Sequence, residues 1–203
     1  MIKANITREY PVHIVNCGRL SHVEKCGYSN KSLFIADFTN QSGHVRGVEV
    51  FIEVPPSNIS YFSLLNNVDL LNCYVSFDNS SFTRPDGVTP LKQCECVVFP
   101  ETSAVDSWIF FAELKYCTSP YWNNNHISKA ILQLYKTRTY YLNAGIFSKT
   151  NPCYLLASIP TQAEPFVQSV ISPMDLTRLK SKHNIILRLK NSVEVQDDKI
   201  INV

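Results

Sequence analysis

Residues 108–117, Trp-Ile-Phe-Phe-Ala-Glu-Leu-Lys-Tyr-Cys, restrict the fold more than any other stretch of the chain. The run is apolar on both faces at its start, as a strand is when layers cover it on both sides, so it belongs in the middle of a sheet. A helix is expected next, from about His126 to Ala144. There Ile127, Ala130, Ile131, Leu134, Tyr141 and Leu142 form an apolar face at spacings mostly of three and four. Asn123, Asn124 and Asn125 offer its N-cap.

The flanking sequence fills in a mixed α/β chain: a central mixed β-sheet flanked by helices, with an N-terminal β-rich part. Residues 11–15, 32–38 and 46–54 are rich in β-branched and aromatic side chains and read as strands. Val48, Val50 and Ile52 alternate with Glu49, Phe51 and Glu53, a period of two. Residues 59–65 read as a short helix, and 70–77 and 92–99 as strands. Residues 152–158 continue the sheet. Ser172 followed by Pro173 marks a second helix start, with proline at the first helical position. Residues 185–190 and 192–195 read as closing strands.

The chain has 203 residues, which fits one domain with its core at about 70–160. Apolar residues make up 45% and charged residues 18%, a balance that excludes disorder. No run approaches the roughly 18 apolar residues that span a bilayer. Charge at Lys3, Arg8 and Glu9 comes too early for a signal peptide, so a cytoplasmic protein without membrane partners is expected. Seven cysteines occur, but no CxxC pair, so a zinc ribbon is unsupported. They read as buried thiols, with Cys94 and Cys96 on one strand face by period two. A net charge of +2 rules out a basic coat over the whole surface, not a local basic groove.

Chemistry concentrates at Glu113 and Lys115. Two residues apart on a strand, they share a face, at the end of a run whose burial makes charge expensive unless it is paired or binds something. Glu95 lies on the preceding strand and comes near Glu113 if the two strands form a hairpin. Adjacent carboxylates raise each other's pKa, and a divalent cation relieves that repulsion. On the following helix, Gln133 shares a polar stripe, away from the apolar face, with His126, Lys129, Lys136, Thr137 and Tyr140. If the helix crosses beside the strand, the stripe approaches the carboxylates.

An acidic residue on a strand, a hairpin, Phe-Ala-Glu-Leu-Lys on the next strand, then a helix with Lys-Ala-x-x-Gln-Leu resembles the PD-(D/E)xK nuclease superfamily, the restriction-endonuclease-like fold. The resemblance covers roughly residues 90–145. It implies Mg²⁺ (or Mn²⁺) on Glu95 and Glu113, catalytic assistance from Lys115 and support from Gln133. It implies hydrolysis of nucleic acid, DNA in preference to RNA. Lys129, Lys136 and Tyr140 are then candidate nucleic-acid contacts, and a homodimer would match the symmetry of a duplex.

The pattern departs at its first acidic position, usually Asp and here Glu95. Asp86 is a rival, although it sits beside Gly87 in a turn-like stretch. Glu24, Glu49 and Glu53 are further candidates for an additional acid, and nothing in the sequence chooses among them. Trp108, Tyr116, Tyr121 and Trp122 can stack on bases, but core packing is the commoner use of aromatics. The alternative function is a non-catalytic nucleic-acid- or protein-binding module with a degenerate site. Other hydrolases are poorly served: there is no Gly-x-Ser-x-Gly, no His-Glu-x-x-His and no glycine-rich phosphate loop.

Overall fold

A computed structural model describes residues 2, 12–14, 17–20, 26–39, 41, 47–77 and 81–203. Its strands, in chain order, begin with β1 (Val12–Ile14), β2 (Cys17–Leu20), β3 (Cys26–Ser29), β4 (Leu33–Asp37) and β5 (Val48–Phe51). Next come β6 (Phe62–Leu65), β7 (Asn72–Ser76), β8 (Phe82–Thr83), β9 (Cys96–Pro100) and β10 (Ile109–Leu114). After helix α1 (Asn123–Asn143) and β11 (Cys153–Ser158) follow α2 (Pro173–His183), β12 (Ile185–Leu189), β13 (Ser192–Val195) and β14 (Ile201–Asn202). The fold is mixed α/β.

Two larger sheets carry it. The six-stranded sheet runs β12-β11-β10-β9-β7-β3 and the five-stranded sheet β14-β13-β6-β4-β5. A small antiparallel sheet joins β1, β2 and β8. In the large sheet β10, β11 and β12 are parallel, whereas β10 meets β9, and β9 meets β7, antiparallel. The parallel step from β10 to β11 needs a crossover, and α1 supplies it.

Side-chain parity explains why β10 is apolar throughout. Phe110, Ala112 and Leu114 pack with Leu33, Ile35, Phe62 and Leu64 of the second sheet. Ile109 and Phe111 face the other way and pack with Ala130, Leu134 and Tyr141 of α1. Strand β10 is thus covered by a helix on one side and a sheet on the other, and all six of its residues are buried. Leu176 and Leu179 of α2 settle on the helical side.

Several elements differ from the sequence expectation. Residues 59–65 do not form a helix: β6 pairs antiparallel with β4 and parallel with β13. Phe62 and Leu64 alternate inward there, a period of two that a short apolar run can hide. Helix α1 starts three residues earlier than expected and takes no cap from the asparagines. A 3₁₀ turn, Pro120–Trp122, leads into it, and the Asn123 amide donates instead to Gln162 and to the Val167 carbonyl. The second helix begins as expected, with Ser172 and Asp175 closing a capping box and Pro173 in the first turn. Strands β2, β3, β8 and β14 were not anticipated. Among the described residues no helix is long and apolar enough to cross a membrane.

The cysteine reading needs one correction. Five of the six cysteines whose side chains are described are buried, and Cys26 is exposed. But Cys94 packs on the helical side of the sheet and Cys96 on the opposite side. Cys96 pairs with Ala112, while the N–H of Glu95 also donates to the Ala112 carbonyl at 3.0 Å. Two residues therefore face one across the strands. That bulge breaks the period of two just where the acidic residue stands.

Phe111 anchors the helical side, edge-on to Tyr141 at 5.5 Å between ring centroids. Phe111→Ala should lower unfolding free energy by about 3–5 kcal/mol, read from urea denaturation. A loss below about 1 kcal/mol, the scale of a surface change, would contradict this packing.

Candidate functional site

The candidate site lies where β10 ends. Glu113 follows the parity of Ile109 and Phe111 toward α1 and is fully buried. Lys115, just past the strand, keeps the ladder going through its N–H to the Ser158 carbonyl at 2.8 Å. Its ammonium pairs with Glu113 Oε1 and donates to Gln133 Oε1 at 2.8 Å. Gln133 in turn donates to the Gln93 carbonyl at 2.7 Å. One turn on, Thr137 Oγ1 accepts from the buried Cys94 N–H at 2.8 Å. Helix α1 thereby fixes the two residues that precede Glu95.

Gln133 and Thr137 do not belong to a solvated stripe, as helical spacing alone suggested. Thr137 is fully buried and Gln133 half-buried, both turned to the sheet. The apolar stripe is interrupted there because the strand end beneath it is polar. Of the other stripe residues, His126 and Lys129 line the cleft. Lys136 is exposed and Tyr140 stacks on Phe82 at 5.0 Å, and neither is part of the cleft lining.

Glu95 sits on the bulge at the start of β9, half-buried rather than inside a regular strand. Its carboxyl is held well above the ordinary range, first by burial, then by Glu113 and Asp37, against the pull of Lys115. Burial likewise pushes Glu113 up to about 7, with Lys115 opposing most strongly and Asp37 adding to the rise. Both carboxylates thus feel each other or a shared neighbour. The second oxygen of Glu113, Oε2, is buried and has no hydrogen-bond partner.

Asp37 was not among the sequence candidates. It ends β4 with its backbone N–H donating to the Tyr116 hydroxyl at 2.9 Å. Its parity is that of Leu33 and Ile35, which face the large sheet. A signal did exist: Leu-Phe-Ile-Ala-Asp at 33–37 and Ile-Phe-Phe-Ala-Glu at 109–113 are both apolar runs of buried strands followed by an acid at or next to the strand end.

The other candidates lie apart. Asp86 accepts from Val88 N, Thr89 N and Thr89 Oγ1 in its own turn. Those bonds, Thr89's first, lower its pKa to about 2, so the turn accounts for its ionised form. Glu49 pairs with Ala36 and shares the face opposite to Asp37. Glu53 is exposed beyond β5, and Glu24 lies outside the described residues.

Asp37, Glu95, Lys115, His126 and Lys129 frame an open cleft of about 250 Å³. The His126 imidazole is pushed down by burial, then by the Lys129 and Lys115 cations. Among the described residues no three His, Cys, Asp or Glu side chains form a ready-made metal cluster. Mg²⁺ needs less, because it keeps several waters and takes one or two carboxylates. The unpartnered Glu113 oxygen beside Glu95 suits such an ion.

A raised carboxyl pKa fixes the sign of a pH effect. The unfolded chain ionises Glu113 near its ordinary value of 4.5, and the folded chain near about 7. The stabilisation is complete below the first value and is lost as pH rises through the second. Metal-free protein should therefore lose thermal stability across that window, and Glu113→Gln should flatten the profile. An equally steep profile in the variant would remove Glu113 as its source. Comparison with known family models, curated proteins and solved structures finds no match to this chain.

Proposed function

We propose that the chain is a Mg²⁺-dependent nuclease that hydrolyses phosphodiester bonds, with DNA as the preferred substrate on the strength of the PD-(D/E)xK resemblance. One observation carries the reading. Glu113 is fully buried, one oxygen held by Lys115 and the other without a partner, and its partner Lys115 lines a cleft that also presents Glu95. Purely structural ion pairs rarely leave a buried carboxylate oxygen unsatisfied.

Glu113 Oε2 and Glu95 would hold the cation, which when bound supplies Lewis acidity at the phosphate and at the attacking water. The chain's own residues do the positioning. An ammonium has three N–H donors. Lys115 uses one on Glu113 and one on Gln133, which leaves the third for a water or a phosphate oxygen. A water held there attacks phosphorus in line. The new P–O bond forms as the ester P–O bond breaks, giving a phosphomonoester and an alcohol. Lys115 stabilises the charge that develops on oxygen. Lys129, exposed at the rim, adds positive potential for the backbone phosphates.

The non-catalytic alternative makes a different forecast for metal. A cation that binds only the folded state raises its melting temperature, so millimolar Mg²⁺ or Mn²⁺ should stabilise the wild type and not Glu113→Gln or Glu95→Gln. Mg²⁺-dependent cleavage of single- and double-stranded oligonucleotides should fall at least about a hundredfold in Lys115→Met, on the scale of losing a transition-state donor. The fold should persist in that variant, because Glu113 without its partner takes up a proton. Full cleavage by Lys115→Met, or the same metal shift in Glu113→Gln, would end the nuclease reading.

A further inference from the structure

Beside the charged cleft lies a second hollow of about 520 Å³, lined in part by Gln41, Asn58, Tyr116, Thr118, Ser119 and Trp122. The two share Tyr116. The geometry points to this hollow as a nucleobase subsite, which takes the base of a nucleotide next to the scissile phosphate in single-stranded substrate. This rests on the nuclease reading above.

Four features argue for a neutral heterocycle. First, among the described residues the lining contains no Lys, Arg, Asp or Glu, so these residues offer a phosphate or a carboxylate no counter-charge, whereas the adjoining cleft holds Lys115 and Lys129. Second, the floor is set in advance. Gln41 bridges the Asp37 and Ser60 carbonyls and the Ser60 N–H. Thr161 is bonded to both backbone groups of Cys117. The Tyr116 hydroxyl sits between Ser60 and Asp37. A rigid floor costs little to organise on binding.

Third, the rim carries exposed Asn58, Thr118 and Ser119, whose amide and hydroxyls both donate and accept, as the edge of a base requires. Fourth, Trp122 is 53% exposed and Tyr121 82% exposed at the start of α1, ring against ring at 4.9 Å. Aromatics so exposed contribute little to the core. Every base has a face that can stack on them, so the subsite tolerates sequence. A base inside a duplex is already stacked and cannot enter, which makes single strands the occupant.

The chain has two tryptophans, and Trp108 is fully buried with its indole N–H on the Asp197 carbonyl. Quenching of tryptophan emission therefore reports on Trp122. The probe is a 12-mer oligothymidylate added to the full chain in EDTA, so that nothing is cut, with an all-abasic oligomer of equal length as the comparison. The 12-mer should quench and bind about ten- to a hundredfold tighter than the abasic oligomer, the range for one stacked base. Trp122→Ala should erase that difference, and Trp122→Phe, followed by a labelled oligomer, should keep most of it. Equal binding of the two oligomers by wild type, or a preference unchanged in Trp122→Ala, overturns the subsite. Mg²⁺-dependent cleavage is read separately: a chain that cuts but shows no base preference loses only the subsite, and one that prefers bases but never cuts loses only the nuclease reading.

Discussion

Everything at the end of β10 follows from a carboxylate placed where water does not reach. Removing a charge from water costs several kcal/mol even after relaxation, and Glu113 is fully buried. Lys115 compensates part of this, and Gln133 holds Lys115 in place. The compensation is incomplete, because the Glu113 pKa stays raised to about 7 and its second oxygen has no partner. The same Gln133 also bonds the Gln93 carbonyl. One side chain thus ties the strand that bears Glu113, the helix and the segment before Glu95 into one unit.

Parity makes this arrangement brittle. On β10 the odd positions, Ile109, Phe111 and Glu113, face α1, and the even ones face the second sheet. A slip of one residue would turn Glu113 toward Leu33 and Phe62 and bring Ala112 and Leu114 beneath the helix. The parallel ladder to β11 and the antiparallel ladder to β9 both oppose such a slip. The bulge at Glu95 locally exempts β9 from the same parity, so the acid can approach Asp37 of the other sheet as well as Glu113. Bulges commonly re-aim side chains next to sites in this way.

What the sequence revealed and what it concealed divide along local and distant contacts. The apolar run, the following helix and the pair Glu113 and Lys115 were legible because period and spacing within one element define them. Gln133 was legible as a residue but was placed on the wrong side, since a helical wheel assumes an apolar partner surface and here the partner is a polar strand end. The helix expected at 59–65 failed for a related reason: only β4 and β13, distant in sequence, turn that apolar run into a strand. Asp37 needed the second sheet to bring it to the cleft. Strands β2 and β8 of the small sheet and the Cys94–Glu95 irregularity leave no local pattern at all.

Charge is divided sharply over a short distance. The cleft gathers acids and two lysines around a histidine whose pKa is lowered, while the described residues that line the hollow on the far side of Tyr116 are all uncharged. A polyanion alone would be served by extending the lysines across both. A neutral hollow has a use only if part of the ligand is uncharged and is held at a fixed distance from the part that is charged. A nucleotide meets that condition, with a base and a phosphate joined through one sugar. On the proposed reading the charged cleft supplies affinity for the backbone, and the hollow fixes the register of the strand relative to Lys115, which separates binding from positioning as nucleic-acid contacts generally do.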